Sequence, residues 1–259
     1  MLKKRLIFIL FYMEGYFYLS RNFTLQKVGD ANWLIEKFKF SSIGDYIDEL
    51  IIYDVTRDRN SKKDLILLEK SVDKLMSQLF TPLTIGGGIK TLEQAARCFE
   101  IGADKISLNT CLSNKDDFVK ECVSRYGSQA VLASVDVKKN NIGYVSFIQN
   151  GAFEHLKLYD YISNIVRLNV GEICLNSIDQ DGTGTGLDLA MLEEIPKIPM
   201  PLIISGGAGK PEHFIAALSK DSVSAVATGN LFNFIGSGFL DAREYLSSHL
   251  TNVRTSYRN

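Results

Sequence analysis

The sequence predicts a (β/α)8 barrel, and three observations carry that prediction. Short apolar, β-branched runs alternate with longer helical stretches along the whole chain, the pattern that builds a parallel sheet. The 259 residues match the usual size of a closed eight-stranded barrel, about 250 residues. The chain also repeats itself. Glu49-Leu-Ile-Ile-Tyr-Asp54, Asp64-Leu65, Leu68-Glu69 and Pro82-Leu-Thr-Ile-Gly-Gly-Gly88 are echoed by Glu172-Ile-Cys-Leu-Asn-Ser177, Asp188-Leu189, Leu192-Glu193 and Pro201-Leu-Ile-Ile-Ser-Gly-Gly207. Such an echo implies two halves of one barrel, and the chain reads as a single domain over residues 1–259.

The first strand is Arg5–Phe11. Lys3-Lys4-Arg5 ahead of Leu6–Met13 has the layout of a secretory signal, but the run is short, Glu14-Gly15 breaks it and no small-residue cleavage site follows. A strand covered on both faces explains the same letters. The remaining strands are expected at Glu49–Asp54, Pro82–Gly86, Lys105–Asn109, Ala130–Asp136, Glu172–Asn176, Pro201–Ser205 and Val223–Thr228. Helical segments between them include Lys62–Leu79, Thr91–Ile101, Asn114–Arg125, Leu187–Ile195 and Pro211–Leu218. After the fifth strand, Asn140–Phe153 alternates and carries Asn150-Gly151, which reads as an inserted hairpin at the active face.

Composition narrows the function. Lys and Arg number 29 against 30 Asp and Glu, so nothing global draws the chain to nucleic acid or to an anionic membrane. The four cysteines, Cys98, Cys111, Cys122 and Cys174, form no CxxC pair, so reduced thiols and a cytoplasmic location are expected. Three scattered histidines, His155, His213 and His249, suggest neither a metal cluster nor a His-based triad.

Two glycine runs stand at matching places in the two halves. Gly86-Gly87-Gly88 follows the third strand, with Thr91 available to cap the next helix; Ser205-Gly206-Gly207-Ala208-Gly209 follows the seventh. Glycine lets backbone N–H groups approach an anion, and a helix N-terminus adds a favourable dipole. Tight turns select glycine too, but here each run is followed by a strand end rich in small donors, Asn109-Thr110 and Thr228-Gly229-Asn230. Two quasi-symmetric cradles predict a substrate with a phosphate at each end, spanning the barrel mouth.

With these residues in hand, the chain resembles the cyclase subunit of imidazole glycerol phosphate synthase, over nearly its whole length. The stretches that carry the resemblance are Gly86-Gly-Gly-Ile89, Gly102-Ala-Asp-Lys-Ile-Ser107, Tyr126-Gly-Ser-Gln-Ala-Val131, Ser177-Ile-Asp-Gln-Asp-Gly-Thr183, Ser205-Gly-Gly-Ala-Gly-Lys210 and Asn252-Val-Arg254. The resemblance implies a lyase-cyclase of histidine biosynthesis that works with a glutaminase partner and needs no metal or organic cofactor. Ammonia from the partner would cross the barrel and attack a bisphosphate ribulosyl aminoimidazole, giving imidazole glycerol phosphate and an aminoimidazole carboxamide ribotide. It also adds Asp181 and Gly182 to the phosphate-binding set.

The family's acid–base chemistry uses two aspartates, ending the first and fifth strands. Asp136 matches the second, whereas Phe11 stands in place of the first, Met13 in place of a nearby lysine, and Tyr16–Arg21 in place of a mobile basic loop. A phenyl ring transfers no proton, and losing one acid–base partner costs about 10²–10⁴-fold in rate. On the competing reading Phe11 simply packs the barrel top and another carboxylate serves, with Asp54 and Asp181 as candidates.

Arg5, Glu49, Lys105 and Glu172 open strands one, two, four and six. They match the family's ring of charges at the ammonia entrance; the competing reading is four unrelated strand-end charges facing solvent. Asp104 matches a residue of the glutaminase interface. Two functions stay open: a cyclase with one altered catalytic position, or an ammonia-channelling paralogue that serves a third protein, a sugar amidotransferase of surface-glycan biosynthesis.

Overall fold

The computed structural model describes residues 3–38, 40–56, 62–77, 79–229 and 238–254. Its strands in chain order are β1 (Arg5–Met13), β2 (Tyr16–Arg21), β3 (Thr24–Gly29), β4 (Glu49–Asp54), β5 (Leu83–Gly86), β6 (Lys105–Leu108), β7 (Val131–Asn140), β8 (Gly143–Ile148), β9 (Phe153–Lys157), β10 (Glu172–Ser177), β11 (Leu202–Ser205) and β12 (Ala225–Thr228). Eight of them pair in parallel in the order β1-β4-β5-β6-β7-β10-β11-β12, and β12 returns to β1 through Arg5↔Ala225. The sheet therefore closes into the expected (β/α)8 barrel.

The alternation along β1 shows why these letters form a strand buried on both sides. Leu6, Phe8, Leu10 and Tyr12 join the large core between strands and helices. Ile7, Ile9 and Phe11 join a smaller cluster with Ile51, Tyr53, Leu132, Cys174, Ile203, Ala225 and Ala227, which fills the barrel interior. All four cysteines are buried and none is in a disulfide.

Most barrel strands lie within two residues of the sequence reading, and three departures are informative. First, β1 runs on to Met13 and turns through Glu14 and Gly15, at φ 52° and 90°, into an antiparallel hairpin of β2 and β3. Tyr16–Arg21 is thus a strand here, its Phe17 and Leu19 buried. Second, β7 extends beyond the barrel and pairs with β8, which pairs with β9. The insert is a three-stranded meander, and Asn150-Gly151 joins its second and third strands. Third, Leu187–Ile195 is not an α-helix but a 3-10 segment over Leu189–Glu194. Pro196 disfavours helical geometry at Ile195, whose φ of −114° and ψ of 151° are extended. The helix expected at Thr91 begins as read, with the Thr91 hydroxyl accepting from the Gln94 N–H at 3.3 Å.

The last helix, Gly238–His249, is locked to the barrel by Arg243. Its guanidinium donates to Asp48 Oδ2 at 2.7 Å and to the Tyr46 and Arg254 carbonyls, while Asp48 Oδ2 also accepts from the Leu6 N–H at 2.7 Å. Arg243→Ala would strand the Asp48 carboxylate, which is only 1 % exposed. It should destabilise the chain by about 3 kcal/mol in denaturant unfolding; a loss under about 1 kcal/mol would contradict this role. Among the described residues no helix is long and apolar enough to cross a membrane.

Candidate active site

The barrel interior is polar at both ends and apolar between. At the end where the strands begin, Arg5, Glu49, Lys105 and Glu172 meet in a closed square. Arg5 bonds Glu49 and, at 2.8 Å, Glu172; Lys105 lies 3.0 Å from Glu49 and 3.1 Å from Glu172. The side chains are 8–18 % exposed. Burial opposes charge on Arg5, but the two carboxylates outweigh it and raise its pKa. Four unrelated charges facing solvent would not make this square.

Beside the ring, the Asp104 carboxylate accepts from the Leu83 N–H at 2.8 Å, much as Asp48 accepts from Leu6. Each aspartate precedes a ring residue and satisfies an orphan donor where the neighbouring strand begins. Asp104 is itself exposed, so it presents charge on this face as well.

At the other end stands Asp136. Its Oδ2 accepts from Asn109 Nδ2 at 3.0 Å and its Oδ1 from Asn176 Nδ2 at 3.1 Å; Asn109 also donates to the Ser134 carbonyl, and the Ser205 hydroxyl donates to Asn176 Oδ1 at 2.9 Å. Four strand ends thus hold one carboxylate in a fixed frame. Burial raises its pKa to about 6, against the lowering effect of the Asn176 and Asn109 hydrogen bonds, and the nearby Asp181 charge pushes the same way as burial. A carboxyl poised there exchanges protons near neutral pH. Asn176, which the sequence reading did not single out, was marked only by its place in the repeat.

Phe11 lies at the end of β1, half-buried and stacked on Tyr53 with ring centroids 6.1 Å apart. Asp54 shares the outward alternation of Leu50 and Ile52 and binds the Thr56 N–H at 2.9 Å, away from Asp136. Asp181 is near enough to Asp136 to affect it, but its carboxylate accepts from the Ser20 hydroxyl and, at 3.0 Å, from the Phe23 N–H; its carbonyl takes the Asn22 N–H. It pins the tip of the β2–β3 hairpin. Gly182 is closed in by the same hairpin, since a Cβ there would meet the Ser20 carbonyl at 2.6 Å.

The two glycine runs share one backbone geometry. Gly87 and Gly206 have φ of 98° and 91° and lie against the ends of the preceding strands, where an added Cβ would meet the Asp54 carbonyl at 2.0 Å and the Ser177 carbonyl at 2.6 Å. Gly88 and Gly207 are also at positive φ, 61° and 99°. Gly86 has a different reason: a Cβ would strike the Tyr53 ring and Ser107 at 2.8 Å. Thr110 accepts from the Gln149 N–H at 3.2 Å, joining the first cradle to the β8–β9 turn, and Thr228 donates to the Ala208 carbonyl at 3.4 Å beside the second. Gly229 borders Phe11, and Asn230 lies outside the described residues. Among the described residues no group of His, Cys, Asp or Glu is arranged to hold a metal ion.

The family profile described as "Histidine biosynthesis protein" matches residues 29–236. The chain is 40 % identical over 251 residues, 96 % of its length and 92 % of the relative's, to a protein named "Putative imidazole glycerol phosphate synthase subunit hisF2" from Parasynechococcus marenigrum (strain WH8102). It is 35 % identical over 257 residues, 98 % of each chain, to the imidazole glycerol phosphate synthase subunit HisF of Thermotoga sp. (strain RQ2). It is 34 % identical over 259 residues, 98 % of its length and 100 % of the relative's, to the HisF subunit of Pelodictyon phaeoclathratiforme.

Proposed function

Because the chain belongs to the histidine biosynthesis protein family, we propose that it is the lyase-cyclase barrel subunit of a cytoplasmic glutamine amidotransferase complex, acting as one domain over residues 1–259. The reading takes ammonia from a glutaminase partner docked around Arg5 and Asp104. The ammonia passes the charge ring, crosses the interior and meets a bisphosphate ribulosyl aminoimidazole at the opposite face. The products are imidazole glycerol phosphate and aminoimidazole carboxamide ribotide. One observation carries this reading above the others: a closed square of charges and a framed carboxylate stand at opposite ends of one barrel interior.

In this reading Asp136 moves the proton that ammonia addition and ring closure require. Asn109 and Asn176 aim its two oxygens, and the Ser205 hydroxyl holds Asn176. The backbones at Gly86–Gly88 and Ser205–Gly207, with Asn109, Thr110, Thr228, Gly229 and Asn230 nearby, take the two phosphates. Asp181 and Gly182 belong to the same phosphate-binding set through their backbone, while the Asp181 carboxylate, turned to Ser20 and Phe23, holds the hairpin over the mouth.

A second reading is favoured by the stacking of Phe11 on Tyr53 at the position of the second acid–base group. There the barrel only delivers ammonia to a third protein, a sugar amidotransferase docked on the rim Phe11–Arg21. A locus among histidine genes supports the first reading, and one beside sugar-nucleotide enzymes the second. The substrate class is tested by soaking crystals of the chain in inorganic phosphate. Density at both glycine cradles is expected, with Gly206→Ala losing the second; density at neither contradicts a bisphosphate substrate.

A further inference from the structure

Between the charge ring and Asp136 two aromatic rings, Tyr53 and Phe11, pack against the interior cluster. Tyr53 projects from β4 across the barrel and reaches strands two and three places away: its hydroxyl donates to Ser134 Oγ on β7 and accepts from Ser107 Oγ on β6, both at 3.4 Å. Phe11, from the strand on the other side of β4, stacks on it with an interplanar angle of 26°. Gly86 leaves the space through which the Tyr53 ring passes. Both rings keep part of their surface exposed, whereas Ile51 and Ile203 are fully buried and Cys174 is 1 % exposed. Exposure falls away at the level of the rings. The other end is closed by the four-membered charge square.

We propose that Tyr53, with Phe11 stacked on it, is an inner gate that closes the barrel interior to small solutes on the active-face side, and that ammonia passes only when the Tyr53 ring leaves Ser107 and Ser134. The proposal rests on the ammonia-transfer reading for its purpose. The closure itself can be tested without substrate or partner. Hydrogen bonds of 3.4 Å are long and weak, which suits a latch that must open, and the stacked ring returns Tyr53 to the closed position. Burial pushes the phenol above its ordinary pKa, so the hydroxyl stays neutral and keeps its proton for Ser134. Tyr53 acts here as a positioning residue and transfers no proton in the reaction.

Cys174 reports on the gate because it belongs to the interior cluster containing both rings, between Glu172 of the charge square and Asn176 of the Asp136 frame. Burial raises its thiol pKa to about 12, so it reacts slowly while the interior stays closed. The full-length native chain, Tyr53→Ala and Tyr53→Leu are exposed to methyl methanethiosulfonate, and modification of each cysteine is followed by mass spectrometry. Cys98, Cys111 and Cys122, which pack outside the barrel, report any general loosening. The expected result is a rate at Cys174 at least tenfold higher in Tyr53→Ala and higher by a smaller factor in Tyr53→Leu, with the other three cysteines unchanged. Equal Cys174 rates in all three proteins overturn the gate, as does a rise shared by all four cysteines in both variants. Either failure leaves the ammonia-transfer reading standing, since that reading is judged by turnover.

Discussion

Replacing Asp136 by asparagine is expected to lower ammonium-driven turnover of the ribulosyl bisphosphate by about 10²–10⁴-fold while the barrel stays folded. Four strand ends hold this carboxylate in place, through Asn109, Asn176 and the hydroxyl of Ser205. An asparagine is the same shape, and Asn176 can reverse its amide while Ser205 turns its hydroxyl to match. The pKa gives the sign of two further effects. Raised to about 6 mainly by burial, Asp136 is ionised above that pH, so turnover that uses it as a base should rise as pH climbs through 6. In the unfolded chain the carboxyl releases its proton at a lower pH than in the native one. Its contribution to stability therefore falls as pH rises from its ordinary value to about 6, and above that the buried charge costs about 3 kcal/mol. Asp136→Asn should match or exceed the native melting temperature at pH 7.5 and lose that advantage near pH 4. Melting curves and pH–rate profiles measure both, and an unchanged rate would remove Asp136 from the chemistry.

Placing a carboxylate at the position of Phe11 should act in the opposite direction. On the proposed reading, Phe11→Asp with Met13→Lys is expected to raise turnover by about 10²-fold or more, because it supplies a second acid–base group on β1. The place is half-buried, so a carboxylate there remains partly solvated. The change removes the stack on Tyr53 and the contact beside Gly229, at a cost of about 1–3 kcal/mol in folding stability. A variant that folds with this modest loss but turns over no faster than the native chain would show that Phe11 is not what limits the chemistry.

The barrel was legible because its strands are apolar on both faces, so Arg5–Phe11, Glu49–Asp54 and Glu172–Asn176 stand out as unbroken runs against amphipathic helices. The charge square was legible as four strand-opening charges, although that they meet depends on barrel closure, which no local pattern states. The hairpin of Tyr16–Gly29 was not read as strands. Its second strand, Thr24–Gly29, buries no side chain fully and carries no clear apolar face, so only pairing with β2 makes it one. At Leu187–Ile195 the apolar spacing suggested a helix, and the prolines that follow it decided otherwise. The helix at Leu158–Arg167 is not among the segments read from the sequence, although Leu158, Tyr161, Ile162 and Ile165, all buried, stand at helical spacing. Glycines mark both candidate cradles, yet Gly86 makes room for a ring inside the barrel, a reason that spacing alone never gives.

The central claim is that this barrel takes ammonia to a bisphosphate ribulosyl substrate with half of the usual acid–base pair. The most direct test is the initial rate of substrate consumption by the native chain with ammonium salts above pH 6, followed as absorbance loss beside Asp136→Asn and Phe11→Asp/Met13→Lys. The account predicts slow native turnover, about 10²-fold or more below the double variant and lost in Asp136→Asn. A native rate equal to that of the double variant, or one that survives Asp136→Asn, would contradict it.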